Sequence, residues 1–339
     1  VAIASLGFLT PGNFREGDPA TGLQRGLELF EAGERLGYDS AWVRQRHLER
    51  GVSSAATFLA AASQRTRHIG LGTAVIQLGY ENPFRLAEDL ATADALARGR
   101  LQIGVSVGPP AHAEFLGAHF FDGDPGASDY GYDRALRLRE NLRSPLLGGE
   151  GAVVNSPAGP QRPRLHPVAP GLADRLWYGG GSLRSAGWAG RSGFHLLTGN
   201  IVQGETTDRF FEAQRQIVGS FLGAWSGAQP PQIALGRVIV PTDGANAATR
   251  RRYADYAESR KARTLAPQGP KRTLFASDLV GSAGAILALL RADPILPYAT
   301  AFRLELPYDF EQSDYEQILD DFLRLVAPEL GWRRSAAAA

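Results

Sequence analysis

Along the chain, short runs of apolar and β-branched residues alternate with longer runs whose apolar positions recur every three or four residues. The first spacing suits strands and the second amphipathic helices. The pattern predicts strands at Ile3–Leu9, Asp39–Val43, Ile69–Ile76, Leu101–Val107, Arg175–Tyr178, Phe194–Leu197, Ile233–Val240 and Ala299–Leu306. It predicts helices at Gly22–Leu36, Ser53–Gln64, Pro83–Ala97, Asp133–Leu147, Ser182–Gly190 and Thr207–Leu222. A pair follows at Ala245–Ala262 and Leu279–Ala292, and Tyr315–Val326 is last. Gly37 and Gly99 stop helices, and Pro83 opens one at the favoured first-turn position.

Strict alternation of strand and helix implies a parallel α/β architecture. The count of eight strands selects a closed (β/α)8 TIM barrel over an open, doubly wound sheet. Insertions follow strands 4 and 7. The first holds an aromatic, Gly- and Asp-rich stretch, Phe115–Tyr132, and an irregular one, Gly148–Pro170. The second is Arg263–Ser277, whose Pro267-Gln268-Gly269-Pro270 run is expected to act as a lid. Residues 1–334 read as one domain and 335–339 as a frayed tail.

Composition narrows the function classes. An apolar content of 44% over 339 residues suits one large core. Lys+Arg number 36 against 35 Asp+Glu, without a basic block, so nucleic acid is not an expected partner. No apolar run reaches the ~18 residues of a membrane span. Val1–Leu9 lacks a basic leader region and reads as a strand, so a cytoplasmic protein is expected. Without cysteine there is no thiolate site, and the six histidines lack metal-ligand spacing, so no metal is expected.

In such a barrel, chemistry sits at the C-terminal ends of the strands. There, Trp177-Tyr178 runs into Gly179, Gly180 and Gly181, then Ser182 as a helix cap, with Arg184 in the first turn. Bare backbone and a helix N-terminus form an anion site, and a first-turn cation is favourable only beside an anion. The sequence therefore points to a phosphate; a plain capped turn with a solvated Arg184 stays open. His47 follows a strand end beside Arg46, where it could be catalytic or structural. Gly70-Leu71-Gly72 lacks the third glycine of a dinucleotide fingerprint.

Gly72-Thr73-Ala74-Val75-Ile76, Asn82-Pro83, Arg85-Leu86-Ala87-Glu88-Asp89 and Gly99–Val105 together resemble the best-preserved stretch of the luciferase-like flavin oxidoreductases. Asp39–Val43 resembles their second strand and Leu279–Ser282 the start of a late helix. The resemblance implies a reduced flavin at the barrel mouth. FMN would serve an O2-dependent monooxygenase acting on a small organic substrate, and a deazaflavin would serve hydride transfer. A barrel that binds flavin without turnover is a third class. A separate flavin reductase and a homodimer are further implications.

By position, the resemblance places a non-proline cis peptide at Ala74–Val75, under the flavin ring, with Ser106 lining that ring. It places the phosphate at Gly180, Gly181, Ser182 and Arg184, and Thr198 joins them at the end of strand six. Two positions depart from the family pattern. Arg46 stands where the luciferases have a catalytic histidine, and Val107 where they have a phosphate-binding arginine. Arg46 is expected to stabilise negative charge and His47 to move protons.

Overall fold

The computed structural model describes residues 3–308 and 310–334; the tail at 335–339 lies outside them. Eight parallel strands close into a barrel. They are β1 (Ser5–Thr10), β2 (Ser40–Val43), β3 (Gly70–Gln77), β4 (Leu101–Ser106), β5 (Leu176–Gly179), β6 (His195–Thr198), β7 (Ile233–Pro241) and β8 (Ala301–Glu305). Each pairs with the next, and β1 bonds both β2 and β8, with Leu9 opposite Trp42 on one side and Glu305 on the other. The expected topology is thus observed.

The helices form the outer ring: α1 (Pro19–Leu36), α2 (Ala55–Arg65), α3 (Pro83–Leu96), α4 (Asp133–Leu142), α5 (Leu183–Arg191), α6 (Phe210–Gly223), α7 (Ala247–Lys261), α8 (Ala283–Arg291) and α9 (Gln312–Asp321). None among the described residues is long and apolar enough to cross a membrane.

Three expectations need correction. Helix α4 stops at Leu142, not Leu147, because Pro145 bars helical geometry for Ser144, which adopts a φ of 51°. The Leu279–Ala292 run is not one helix: Leu279–Gly281 pairs with β7, and Ser282 then caps α8. The Arg263–Ser277 segment is not a free loop. Its Thr273–Phe275 stretch pairs antiparallel with Ile201–Gln203, and the Ala276 N–H donates to the Asn200 carbonyl.

Side-chain alternation divides the strands between two cores. Phe8, Leu71, Ile103, Leu235, Phe302 and Leu304 belong to the main cluster that packs barrel against helices. Leu9, Trp42, Trp177, Leu197 and Ala234 form a second cluster inside the barrel. The two tryptophans meet edge to face at 6.0 Å. Each indole N–H is satisfied, Trp42 donating to Ser40 Oγ and Trp177 to Gln102 Oε1, both at 2.9 Å.

The indoles fit because glycines make room. A Cβ on Gly72 would stand 2.2 Å from the Trp42 ring, and one on Gly236 would stand 2.1 Å from Glu305 Oε1. Gly72→Ala should therefore destabilise the fold by about 1–3 kcal/mol, as overpacking does. Urea unfolding will measure this. Trp42→Leu in the same chain should recover part of the loss; strictly additive losses would contradict the contact.

Candidate active site

The C-terminal strand ends open onto a cavity of about 280 Å³. Ala74 and Val75 of β3, Gly180 and Gly181 after β5, and Thr198 of β6 line it. So do Asn200, which follows β6 among the strand-end positions expected to matter, and Arg44, Arg303 and Glu305, which the sequence reading did not single out. Arg46, His47, Ser106, Ser182 and Arg184 are not among the lining residues.

Strand β3 delivers its two residues through an irregularity. Thr73 lies opposite Ile103 of β4, but Ile76 lies opposite Val105, so β3 carries one extra residue between them. The Ala74–Val75 peptide within this slip is cis. Below it, Thr73 Oγ1 donates to the Gly104 carbonyl and accepts from the Gly104 N–H, both at 2.9 Å. Ser106 ends β4, half-buried and opposite Gln77.

After β5, the Gly180 N–H donates to the Leu197 carbonyl and the Gly181 carbonyl accepts from Gln203. Ser182 caps α5: its Oγ accepts from the Ser185 N–H at 3.1 Å, and its own N–H donates to Ser185 Oγ. The N-terminal amide of α5 already has an anion, since Leu183 N–H donates to Glu205 Oε2 at 2.6 Å. Arg184 is exposed, its guanidinium 5.8 Å from the Tyr132 ring centre.

A buried polar network holds the β6 turn from behind. Thr198 Oγ1 and the Gly199 carbonyl both accept from Gln214 Nε2, at 2.8 and 2.9 Å. Arg237, only 2% exposed, donates to Asp293, Gln214 Oε1 and the Gly199 and Gly236 carbonyls. Its charge and its donors are therefore paired.

The cavity floor is ionic. Glu305 Oε2 accepts from Arg44 Nη2 at 2.9 Å and from Asn200 Nδ2 at 3.0 Å. Arg44 Nη1 also donates to the Tyr308 hydroxyl at 3.1 Å, and Arg46 Nη2 reaches the same oxygen at 3.4 Å. Arg303 lies 5.3 Å from the Trp42 ring centre and is 4% exposed. Burial pushes its guanidinium down to about 10, against the pull of Glu305, so it stays charged at neutral pH. A signal for this floor exists in the sequence: Arg303 and Glu305 alternate with Phe302 and Leu304, which puts charge on the inward face of a central strand.

His47 lies three residues beyond Arg44 on the segment after β2 and does not line the cavity. Gln45 orients it. Gln45 Oε1 accepts from the Ala55 N–H at 3.0 Å, so its amide nitrogen faces Glu81 Oε1 at 2.6 Å and His47 Nε2 at 3.0 Å. An amide NH2 only donates, so His47 Nε2 accepts and Nδ1 carries the proton. The ring stacks on Tyr80 at 3.8 Å, and burial lowers its pKa. Burial also raises the Glu81 carboxyl. Among the described residues, no group of three or more His, Asp or Glu side chains could hold a metal ion.

A closed parallel barrel with a cation-floored cavity at its strand ends has the form of a TIM-barrel enzyme. Residues 5–276 match the luciferase-like monooxygenase family, and the chain belongs to that family. It is 40% identical over 113 residues to 4-hydroxyprotoasukamycin monooxygenase of Streptomyces nodosus subsp. asukaensis, covering 32% of this chain and 30% of that one. It is 39% identical over 114 residues to limonene 1,2-monooxygenase of Rhodococcus erythropolis, covering 32% and 29%. A third relative, the oxygenase component of flavin-dependent trigonelline monooxygenase from Acinetobacter baylyi, is 30% identical over 84 residues, covering 24% and 23%. The matches thus span about a third or less of these curated relatives.

Solved structures share the fold over nearly the whole chain. Monooxygenase RslO1 from Streptomyces bottropensis superposes with a TM-score of 0.69 at 19% identity, covering 96% of this chain and 99% of that one. The oxygenating constituent of 3,6-diketocamphane monooxygenase from Pseudomonas putida, in complex with FMN, gives 0.66 at 15%, covering 96% and 98%. An F420-dependent secondary alcohol dehydrogenase gives 0.62 at 16%, covering 96% and 99%.

Two outcomes follow from this geometry. Arg237→Met strands the Asp293 carboxylate in the interior and should destabilise the protein by about 3–5 kcal/mol, read by thermal or urea unfolding. Nitrogen NMR should find His47 protonated at Nδ1 at neutral pH and titrating below its ordinary value of 6.5. Its depressed pKa contributes stability that is present above about pH 6.5 and lost as pH falls through the folded value. A dominant Nε2–H form would contradict the Gln45 contact.

Proposed function

We propose that this protein is an oxygenating enzyme that holds reduced FMN in the mouth cavity and uses O2 on a small organic substrate. The observation that carries this is the cavity itself. Bare backbone at Gly179–Gly181 and the Ala74–Val75 step line it, and its floor is cationic. Arg303 Nε and Nη1 are buried and find no partner among the described residues, so the floor carries positive charge that its own side chains do not fully pair. A volume of about 280 Å³ accommodates a flat ring system and leaves a ribityl phosphate to extend over Gly180 and Gly181. Family membership and the FMN-bound structural neighbour support the same reading.

Bound reduced flavin would supply the electrons for O2 chemistry. The chain's residues bind, orient and move protons. Leu9 and Leu197 keep one side of the cavity apolar. Arg44 and Arg46 both donate to the Tyr308 oxygen, which leaves that hydroxyl's own proton to give. His47, neutral with Nε2 engaged by Gln45, is assigned a hydrogen-bond donor role through Nδ1–H, and proton transfer only in its protonated form at lower pH. Arg46 is assigned stabilisation of negative charge beside Tyr308, and Ser106 a place at the ring's edge. By likeness to an oxygenase component, a separate reductase would deliver the reduced flavin.

Anaerobic reduction of the FMN complex followed by mixing with O2 tests this. A transient that outlives free-flavin reoxidation and yields oxygenated product is expected. Reoxidation identical to free flavin would leave a binding barrel. Binding of deazaflavin in place of FMN would favour hydride transfer, as in the F420-dependent neighbour.

The phosphate assignment has its own test. Arg184→Ala should weaken FMN binding by about 1.5–3 kcal/mol, the scale of hydrogen bonds to charged groups. Glu205→Gln should strengthen it by about 0.3–1 kcal/mol, because Glu205 competes at the α5 N-terminus. Riboflavin, lacking phosphate, should respond to neither change; equal responses from both ligands would place the phosphate elsewhere.

A further inference from the structure

The amino-terminal end of the barrel carries another cleft, of about 480 Å³, on the face opposite the mouth. Strand β6 joins the two ends: Thr198 lines the mouth cavity, and His195 lines this cleft. Arg139 and Arg143, near the end of α4, also line it, as does Arg191, the last residue of α5. Asp174 is the carboxylate among the lining residues. Residues at this end of a barrel ordinarily serve stability, and a stabilising polar group that is buried has a partner.

His195 departs from that rule. It is 7% exposed, stacked on Trp225 at 5.6 Å and tilted against Trp177 at 5.1 Å. The Gln232 N–H donates to its Nδ1 at 3.3 Å, so the neutral ring carries its proton on Nε2. Burial lowers its pKa and so favours that neutral form at pH 7. Nε2 has no hydrogen-bond partner among the described residues, and unlike the Arg303 nitrogens it is not closed off from solvent. A donor fixed between two indoles thus opens onto the cleft.

The three arginines are placed unequally. Arg139 donates to the Ser192 carbonyl at the end of α5, where a cation suits the helix dipole. Arg143 reaches Glu140 at 3.4 Å on the exposed side of α4. Arg191 is exposed, and its guanidinium has no ion pair or hydrogen bond among the described residues. Asp174 forms an ion pair with none of the three. The lining therefore holds more positive charge than its own carboxylate balances. Its donors come from one strand and two helices around a single cleft, which suits the three outward oxygens of a phosphate better than the two of a planar carboxylate. The volume leaves room for an organic group beyond the phosphate.

We propose that this amino-terminal cleft binds a small organic phosphate monoester, with His195 Nε2–H donating to a phosphate oxygen and Arg191 and Arg143 supplying charge. The inference does not depend on flavin in the mouth. Its site is also distinct from the phosphate position proposed for FMN, because Arg184 lies in the first turn of α5 and Arg191 at the helix's other end.

Phenyl phosphate and benzoate, which carry a phosphate and a carboxylate on the same ring, test this. Each is titrated into the full chain, free of flavin, by calorimetry, and the His195 ring nitrogens are followed by NMR. Phenyl phosphate should shift the His195 Nε2 signal and bind at least about tenfold more tightly than benzoate. Arg191→Gln should weaken phenyl phosphate by about tenfold or more, as losing a hydrogen bond to a charged group does. It should melt close to wild type, since Arg191 is exposed and unpartnered among the described residues. Arg184→Ala should leave the His195 shift as it is in wild type. Phenyl phosphate binding that disappears in Arg184→Ala, with His195 unmoved throughout, would put the phosphate at the mouth and overturn the proposal. So would benzoate binding as tightly as phenyl phosphate. An Arg191→Gln protein that melts lower with unaltered phosphate affinity would give Arg191 a purely structural role and overturn it as well.

Discussion

Closure of eight parallel strands is the constraint on which the rest depends. Because β1 bonds to both β2 and β8, no strand edge remains, and every second residue must point into a narrow interior. That interior is shared unequally along its length. Trp42 and Trp177 fill one layer, and they fit because Gly72 gives up its side-chain volume to the Trp42 ring. Above them, small residues at the ends of β3 and β5 leave space that Arg303 and Glu305 of β8 enter from one side. The cavity is the part of the barrel that its own side chains do not fill.

Polar groups in this low-dielectric interior follow two different rules. At the β6–β7 side, Arg237, Asp293, Gln214 and Thr198 satisfy one another and hold the Thr198–Asn200 turn rigid. The pairing continues inward, where Asn200 donates to Glu305. A contiguous set of hydrogen bonds thus runs from Asp293, behind the barrel, to the cavity floor. It stops short of Arg303. Arg303 keeps Nε and Nη1 without a hydrogen-bond partner among the described residues.

The barrel was legible in the sequence because its signals are local. Period-two strands, helices closed by Gly37 and Gly99, and glycines after β5 each declare themselves within a few residues. What stayed hidden depends on pairing across long separations. Ile201–Gln203 is too short to read as a strand until Thr273–Phe275 lies beside it. Glu205 is an ordinary surface carboxylate until it meets the Leu183 amide. Arg44 gains meaning only from Glu305, which is more than a hundred residues away. The Ala74–Val75 geometry came from the family resemblance alone, because no composition or spacing encodes a cis bond. The α4 boundary was readable in principle, from Pro145, and hydrophobic periodicity overrode it.

The cavity at the C-terminal strand ends, floored by Arg44, Arg303 and Glu305, is the proposed seat of the flavin. A crystal structure of the FMN complex tests it most directly. The ring is expected between the Ala74–Val75 step and the Gly179–Gly181 backbone, above the floor of Arg44, Arg303 and Glu305. Flavin bound elsewhere, for example in the separate cavity that Thr10, Arg25 and Gln312 line, would contradict this placement.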